Sequence, residues 1–134
     1  MFFDGVCNYC KDVVEASVAS DTDGLFLFSP LQSDFAQQAL GHYGINSLEL
    51  RSMYVISDYG TSNEAIRAAA PASNFLLQRL SGELKEAGDI NARKPREVQD
   101  AEYKDVADHR YERWGKMAAV HVPEDPAVRS HYVL

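Results

Sequence analysis

Apolar and polar positions along the chain form blocks, which predict the order β-α-β-α-β-α followed by further helices. Three short apolar runs bounded by turn residues predict strands at residues 1–3, 25–28 and 53–56. The run at 25–28 is apolar throughout, so we expect it to be covered on both faces, as in a parallel sheet.

Helical spacing follows each predicted strand. Behind the first, Cys10, Val14 and Val18 fall on one stripe. Ser33 or Asp34 can cap a second helix. Residues 61–64 have the sequence of a capping box, so a third helix is expected to open there, with an interruption at Pro71.

The second half of the chain is less strongly patterned. Residues 81–100 are polar and charged, which predicts an exposed connection. Residues 101–115 have helical spacing, and residues 116–134 form a tail expected to pack back through Val120, Val122 and Tyr132. The interpretation is a single α/β domain over 1–134, with a small, mostly parallel sheet, helices on both faces and a C-terminal helical extension.

Composition and charge exclude several classes of protein. A net charge of −7 over 134 residues argues against a general nucleic-acid or anionic-membrane binder. No run approaches the roughly 20 apolar residues of a membrane span, and no signal peptide precedes the first cysteine. The two cysteines suit a local redox couple in a reducing compartment. We expect a cytoplasmic location, or an organellar one if a targeting segment is missing from this chain.

The chemistry-bearing feature is the pair Cys7 and Cys10, directly after the turn signal Asp4-Gly5 and at the start of the first helix. Residues three apart on a helix lie near the separation that a disulfide needs. Unpaired N–H groups in a first helical turn stabilise a thiolate, which lowers a cysteine pKa from about 8.5 towards 7.

The pair could instead be two small core residues or half of a zinc site. Zinc needs two further ligands, and none of the four histidines has another three to five residues away. The position after a strand and at a helix start favours redox chemistry. We therefore expect no metal and no organic cofactor.

Several other residues have two interpretations. Asp4 could accept a proton from Cys10, or it could hold the turn by accepting backbone N–H groups. Gln32 and Ser33 follow the second strand, where α/β ligands gather, but a turn and a helix cap explain them equally well. For the helical positions Arg110, Tyr111 and Trp114, core packing is favoured over a binding patch.

These motifs resemble the DCC family of thiol-disulfide oxidoreductases, named for an Asp-x-x-Cys-x-x-Cys motif that Asp4, Cys7 and Cys10 match. Further similarity lies in residues 28–33, 63–66 and 103–115. The resemblance implies a thioredoxin-like fold and a disulfide reductase activity, and it shifts the interpretation of Asp4 slightly towards a functional role. The chain departs from the family pattern in three places. The residues that usually precede the first strand are missing, the hairpin before the third helix is shortened to 58–61, which suggests a vestigial fourth strand, and Val120 stands where a cysteine is common.

The predicted function is therefore disulfide reduction by a dithiol couple. In this hypothesis Cys7 is the outer sulfur that attacks, and Cys10 is the inner sulfur that resolves the mixed disulfide. The expected partners are a disulfide-containing protein or small molecule, and a thiol or reductase that donates electrons. Two alternatives stay open: a non-enzymatic binding module or redox switch, and a metal-binding module.

Overall fold

A computed structural model describes all residues from Met1 to Leu134. Its centre is a four-stranded sheet in the order β2-β1-β3-β4. The strands are β1 (Phe2–Phe3), β2 (Ser29–Pro30), β3 (Tyr54–Ser57) and β4 (Ala65–Ala68). The helices are α1 (Asn8–Ser20), α2 (Asp34–Gly41), α3 (Ala69–Leu77), α4 (Gly82–Ala92), α5 (Arg96–Trp114) and α6 (Pro126–Arg129). None of these helices combines the length and apolar character needed to cross a membrane.

The sheet is mixed, which corrects the prediction of a mostly parallel one. Only β1 and β2 are parallel, whereas β3 is antiparallel to both β1 and β4. The two residues of β1 point to opposite faces of the sheet. Phe2 packs in a core cluster with α2, and Phe3 packs in a second cluster with α1 and α3. Helices therefore cover both faces, as predicted.

The fourth strand is complete rather than vestigial. Residues 65–68, predicted to be helical, pair with all four residues of β3, and the next helix begins only at Ala69. The Glu64 carboxylate accepts hydrogen bonds from the Gly60 N–H (2.9 Å) and the Tyr43 hydroxyl, so it does not cap a helix. Tertiary pairing with β3 overrides the local capping pattern. Pro71 lies in the first turn of α3, where a missing N–H costs nothing.

The apolar run at 25–28 is covered on one face only, contrary to expectation. Phe26 and Phe28 are buried, whereas Leu25 and Leu27 are 57% and 55% exposed. The regular strand β2 begins after this run, and Phe28 forms a parallel bridge with Tyr132 of the tail. Of the three residues through which the tail was expected to pack, Tyr132 is buried and Val122 is partly buried, whereas Val120 is 36% exposed.

Residues 81–100, predicted to be an exposed connection, form α4 and the first turn of α5, and all of them except Gly88 and Gln99 are exposed or partly exposed. Gly88 explains how α4 approaches α3 so closely. A Cβ at this position would lie 2.6 Å from the Leu77 Cβ and 3.0 Å from the Gln78 backbone nitrogen. Only glycine fits there without moving one helix away from the other.

We expect Gly88→Ala to lower the free energy of unfolding by about 1–3 kcal/mol, because the added methyl overpacks this helix contact. Gly41→Ala is the matched control, since Gly41 is also helical and a Cβ added there would have no neighbour within 4 Å. It should be neutral or slightly stabilising. Urea denaturation of both variants measures the difference, and equal stabilities would contradict the packing explanation.

Candidate functional site

The two cysteines form a disulfide at the N-terminus of α1, with their Cα atoms 5.2 Å apart. Cys7 is the N-cap residue and has an extended backbone, and its Sγ accepts a hydrogen bond from the Cys10 N–H at 3.1 Å. The predicted location of Cys7 at the helix start, with Cys10 one turn inside, is confirmed. Cleavage of the bond would leave the Cys7 sulfur beside an N–H donor and the positive end of the helix dipole.

The exposure of the two sulfur-bearing residues is the reverse of the predicted one. Cys7 is fully buried, whereas Cys10 is partly buried. The residues that follow α5 pass antiparallel over the Cys7 backbone: the Asn8 N–H donates to the Gly115 carbonyl (3.4 Å), and the Met117 N–H donates to the Val6 carbonyl (2.7 Å). We call residues 115–117 the covering segment.

Side chains reinforce this cover. Tyr9, between the two cysteines, stacks on Trp114 with a centroid distance of 4.3 Å. The Asn8 amide donates to the Trp114 carbonyl at 3.1 Å. The aromatic residue at the end of α5 thus contacts the motif itself, although its spacing favoured core packing, and it remains 40% exposed.

Asp4 lies at the end of β1 and is only 5% exposed. Its Oδ1 accepts hydrogen bonds from the Val6 N–H (3.1 Å) and the Gln32 amide (3.0 Å). Its Oδ2 accepts from the Arg110 guanidinium (3.0 Å from Nη2) and from the Tyr111 hydroxyl. Both oxygens are therefore occupied by donors, and the carboxylate holds the turn before Cys7.

Burial by itself would raise the pKa of the Asp4 carboxyl. The hydrogen bonds from Tyr111, Gln32, the Val6 N–H and Arg110 together outweigh burial, so the pKa lies below its ordinary value. A carboxylate with a lowered pKa and fully used oxygens is poorly suited to take a proton from Cys10. Of the two interpretations of Asp4, the geometry favours the one in which it organises the turn.

Gln32, Arg110 and Tyr111 are therefore site residues, although the sequence explained Gln32 equally well by a turn and favoured core packing for Arg110 and Tyr111. Gln32 also accepts a hydrogen bond from the Gly5 N–H at 3.0 Å, so it fixes both ends of the Asp4-Gly5 turn. Arg110 and Tyr111 lie 106 and 107 positions from Asp4 in sequence. The available signal was their presence in segments that resemble the DCC family, since helical periodicity alone indicated core packing.

Comparison with known proteins identifies the family of the chain. The model of a family described as DCC1-like thiol-disulfide oxidoreductase matches residues 1–116. The chain belongs to the DCC1-like thiol-disulfide oxidoreductase family. That match includes every site residue described above except Met117 of the covering segment, so the family's Asp-x-x-Cys-x-x-Cys motif and its α5 partners lie in one matched region.

A relative in Bacillus subtilis (strain 168), named uncharacterized protein YuxK, is 29% identical over 140 residues, covering 99% of this chain and 92% of YuxK. No solved structure matches the chain. Membership in the DCC1-like family supports a redox role for the cysteine pair and implies thiol or disulfide partners in general. No group of three or more His, Cys, Asp or Glu residues is arranged to hold a metal ion.

We expect Arg110→Met to lower the free energy of unfolding by about 2 kcal/mol at neutral pH, because it leaves the buried Asp4 carboxylate without its cation. The folded-state pKa of Asp4 is lowered by hydrogen bonds from Tyr111, Gln32, the Val6 N–H and Arg110, so the part that Arg110 contributes stabilises the fold above the unfolded-state pKa. That contribution is lost as the pH falls through the lowered folded-state value. The deficit of the variant should therefore shrink below about pH 4.

Urea denaturation between neutral and acidic pH measures this effect. Arg113→Met is the matched control on the same helix, since Arg113 pairs with Asp105 on the exposed surface. It should change stability little at any pH. A deficit for Arg110→Met that does not depend on pH would show that Asp4 is not the group that requires this cation.

Proposed function

We propose that the chain is a thiol-disulfide oxidoreductase of the disulfide reductase type, in which Cys7 and Cys10 are the catalytic couple and Asp4 positions the turn that carries them. The observation that supports this most directly is the hydrogen bond from the Cys10 N–H to the Cys7 sulfur at the start of α1. It provides a stabilised position for a thiolate each time the disulfide is opened.

The chemistry balances as a two-electron exchange. The dithiol gives two electrons and two protons to a substrate disulfide, the substrate leaves as two thiols, and Cys7 and Cys10 return to the disulfide. A thiol or a reductase then restores the dithiol. The substrate of this reaction is a disulfide-containing protein or small molecule, and neither a metal nor an organic cofactor takes part.

A second candidate is a non-enzymatic module in which the disulfide is a brace or a redox switch. The full burial of Cys7 favours this alternative, because structural disulfides are shielded from exchange. The two functions differ in the reduction potential of the pair. A structural disulfide has a potential below about −300 mV, whereas a couple that exchanges with cellular thiols lies above that value.

We expect the wild-type protein to accelerate reduction of insulin or of hydroxyethyl disulfide by dithiothreitol, and its pair to equilibrate with a glutathione buffer at a potential above about −300 mV. Cys7→Ser and Cys10→Ser should each lose catalytic turnover, because neither can form the intramolecular disulfide. The double serine variant supplies the background rate. A potential below that limit, together with background rates on both substrates, would favour the brace.

A further inference from the structure

The two sulfurs differ in their accessibility and in the stabilisation of a thiolate. Each of these two properties belongs to a different cysteine. Cys7 has the stabilising N–H donor but is fully buried beneath the covering segment. Cys10 is partly buried and lines a cavity of about 90 Å³ between α1, α5 and the residues before β3. The sulfur best suited to leave as a thiolate is therefore not the sulfur that a solvent molecule can reach.

The cavity beside Cys10 is mostly apolar. Its walls include Val13 from α1, Leu50 and Met53 from the chain before β3, and Val106 and Ala107 from α5. Three charged side chains also border it. Asp4 and Arg110 neutralise each other as an ion pair with a separation of 3.0 Å, and the exposed Arg51 pairs with Glu49. A space of this size holds several water molecules, and hence a group of a few heavy atoms without net charge.

We propose that small thiols with an uncharged apolar group enter this cavity and exchange at Cys10, with Cys7 as the buried leaving and resolving sulfur. The inference rests on the proposed function and reverses the division of labour expected from the order of the cysteines. It assigns the cavity as the site where low-molecular-weight thiols donate electrons to the pair and where, in the reverse direction, small disulfides are reduced.

The reaction begins with an incoming thiolate that attacks the Cys10 sulfur. The Cys7–Cys10 bond breaks, a bond forms between the incoming sulfur and Cys10, and the electron pair stays on Cys7 as a thiolate to which the Cys10 N–H donates a hydrogen bond. A second small thiolate then attacks the incoming sulfur. It releases a small disulfide and leaves Cys10 reduced, so two thiols are oxidised and the protein pair gains two electrons.

The cost of uncovering the Cys7 sulfur is larger than the gain in reactivity that a lowered pKa would give it. Uncovering Cys7 separates two backbone hydrogen bonds and one aromatic stack, each worth about fivefold in an equilibrium constant, so the uncovered form is about a hundredfold rarer. A pKa lowered from about 8.5 to 7 increases the thiolate at neutral pH about fifteenfold, and the accompanying loss of nucleophilicity reduces this advantage to about threefold. In the reduced pair, Cys10 is therefore the faster nucleophile towards a small disulfide. In the oxidised pair, the lower pKa of Cys7 makes it the better leaving group, which also directs an incoming thiolate to the Cys10 sulfur.

Single-cysteine variants test the assignment with methyl methanethiosulfonate, an uncharged reagent that transfers a methylthio group of two heavy atoms to a cysteine, and mass spectrometry follows the reaction. Cys10 in Cys7→Ser should react at least about tenfold faster than Cys7 in Cys10→Ser at neutral pH, and the difference should vanish in denaturant. A faster reaction of Cys10→Ser would overturn the inference while leaving the proposed function intact. If neither folded variant reacts and the wild-type pair does not turn over, the proposed function fails as well.

The cavity is tested in the wild-type disulfide background. Ala107→Leu fills the space beside Cys10 and should slow reduction of the pair by β-mercaptoethanol several-fold. Ala101→Leu, a matched change at an exposed position of the same helix, should leave the rate unchanged. If circular dichroism shows that Ala107→Leu is unfolded, the smaller change Ala107→Val replaces it. Equal rates for a folded cavity variant and the control would overturn the cavity as the entry site.

A third variant tests the cover. Trp114→Ala removes the stack on Tyr9, so in the Cys10→Ser background it should raise the reaction rate of Cys7 about fivefold. In the Cys7→Ser background the same change should alter the rate of Cys10 less than that of Cys7, because only Tyr9 of the stacked pair lines the cavity. If Trp114→Ala does not change the rate of Cys7, the covering segment does not limit access to it and the inference loses its basis.

Discussion

The ion pair between Asp4 and Arg110 is the interaction on which the site depends. A carboxylate that is 5% exposed is tolerated only when donors surround it, and α5 supplies two of these donors. The hydrogen bonds from Arg110 and Tyr111 to Asp4 hold the C-terminal half of α5 against the end of β1. Because α5 ends a few residues later, the same contact directs the covering segment across Cys7. The burial of the Cys7 sulfur is thus a consequence of the hydrogen bonds that α5 donates to the Asp4 carboxylate.

This arrangement separates two properties that a redox pair needs. The helix N-terminus stabilises negative charge on Cys7, while the cavity gives access to Cys10. A good leaving group does not need to be accessible, because it only receives an electron pair from the bond that breaks. An attacked sulfur needs access but no stabilisation of its own charge. The geometry assigns each requirement to a different cysteine.

The errors in the sequence-based prediction of the sheet have one common cause. Residues 65–68 follow a capping pattern, yet they pair with β3 because all four backbone positions find partners there. Residues 25–28 look like a strand buried on both faces, yet Leu25 and Leu27 face outwards. In both cases a local pattern was consistent with two structures, and contacts with distant residues selected one of them.

The sequence by itself determined the local features: a disulfide-capable pair at a helix start, amphipathic α1 and α2, and the strands near residues 2 and 54. These depend on interactions over three or four residues, so spacing reveals them. Only the tertiary structure decided the direction of β3, the partners of Asp4 and the exposure of each cysteine. Arg110 is 106 positions from Asp4, and Lys116 forms its bridge to Cys7 across a similar stretch of chain. Such contacts arise from packing between elements, which no local pattern specifies.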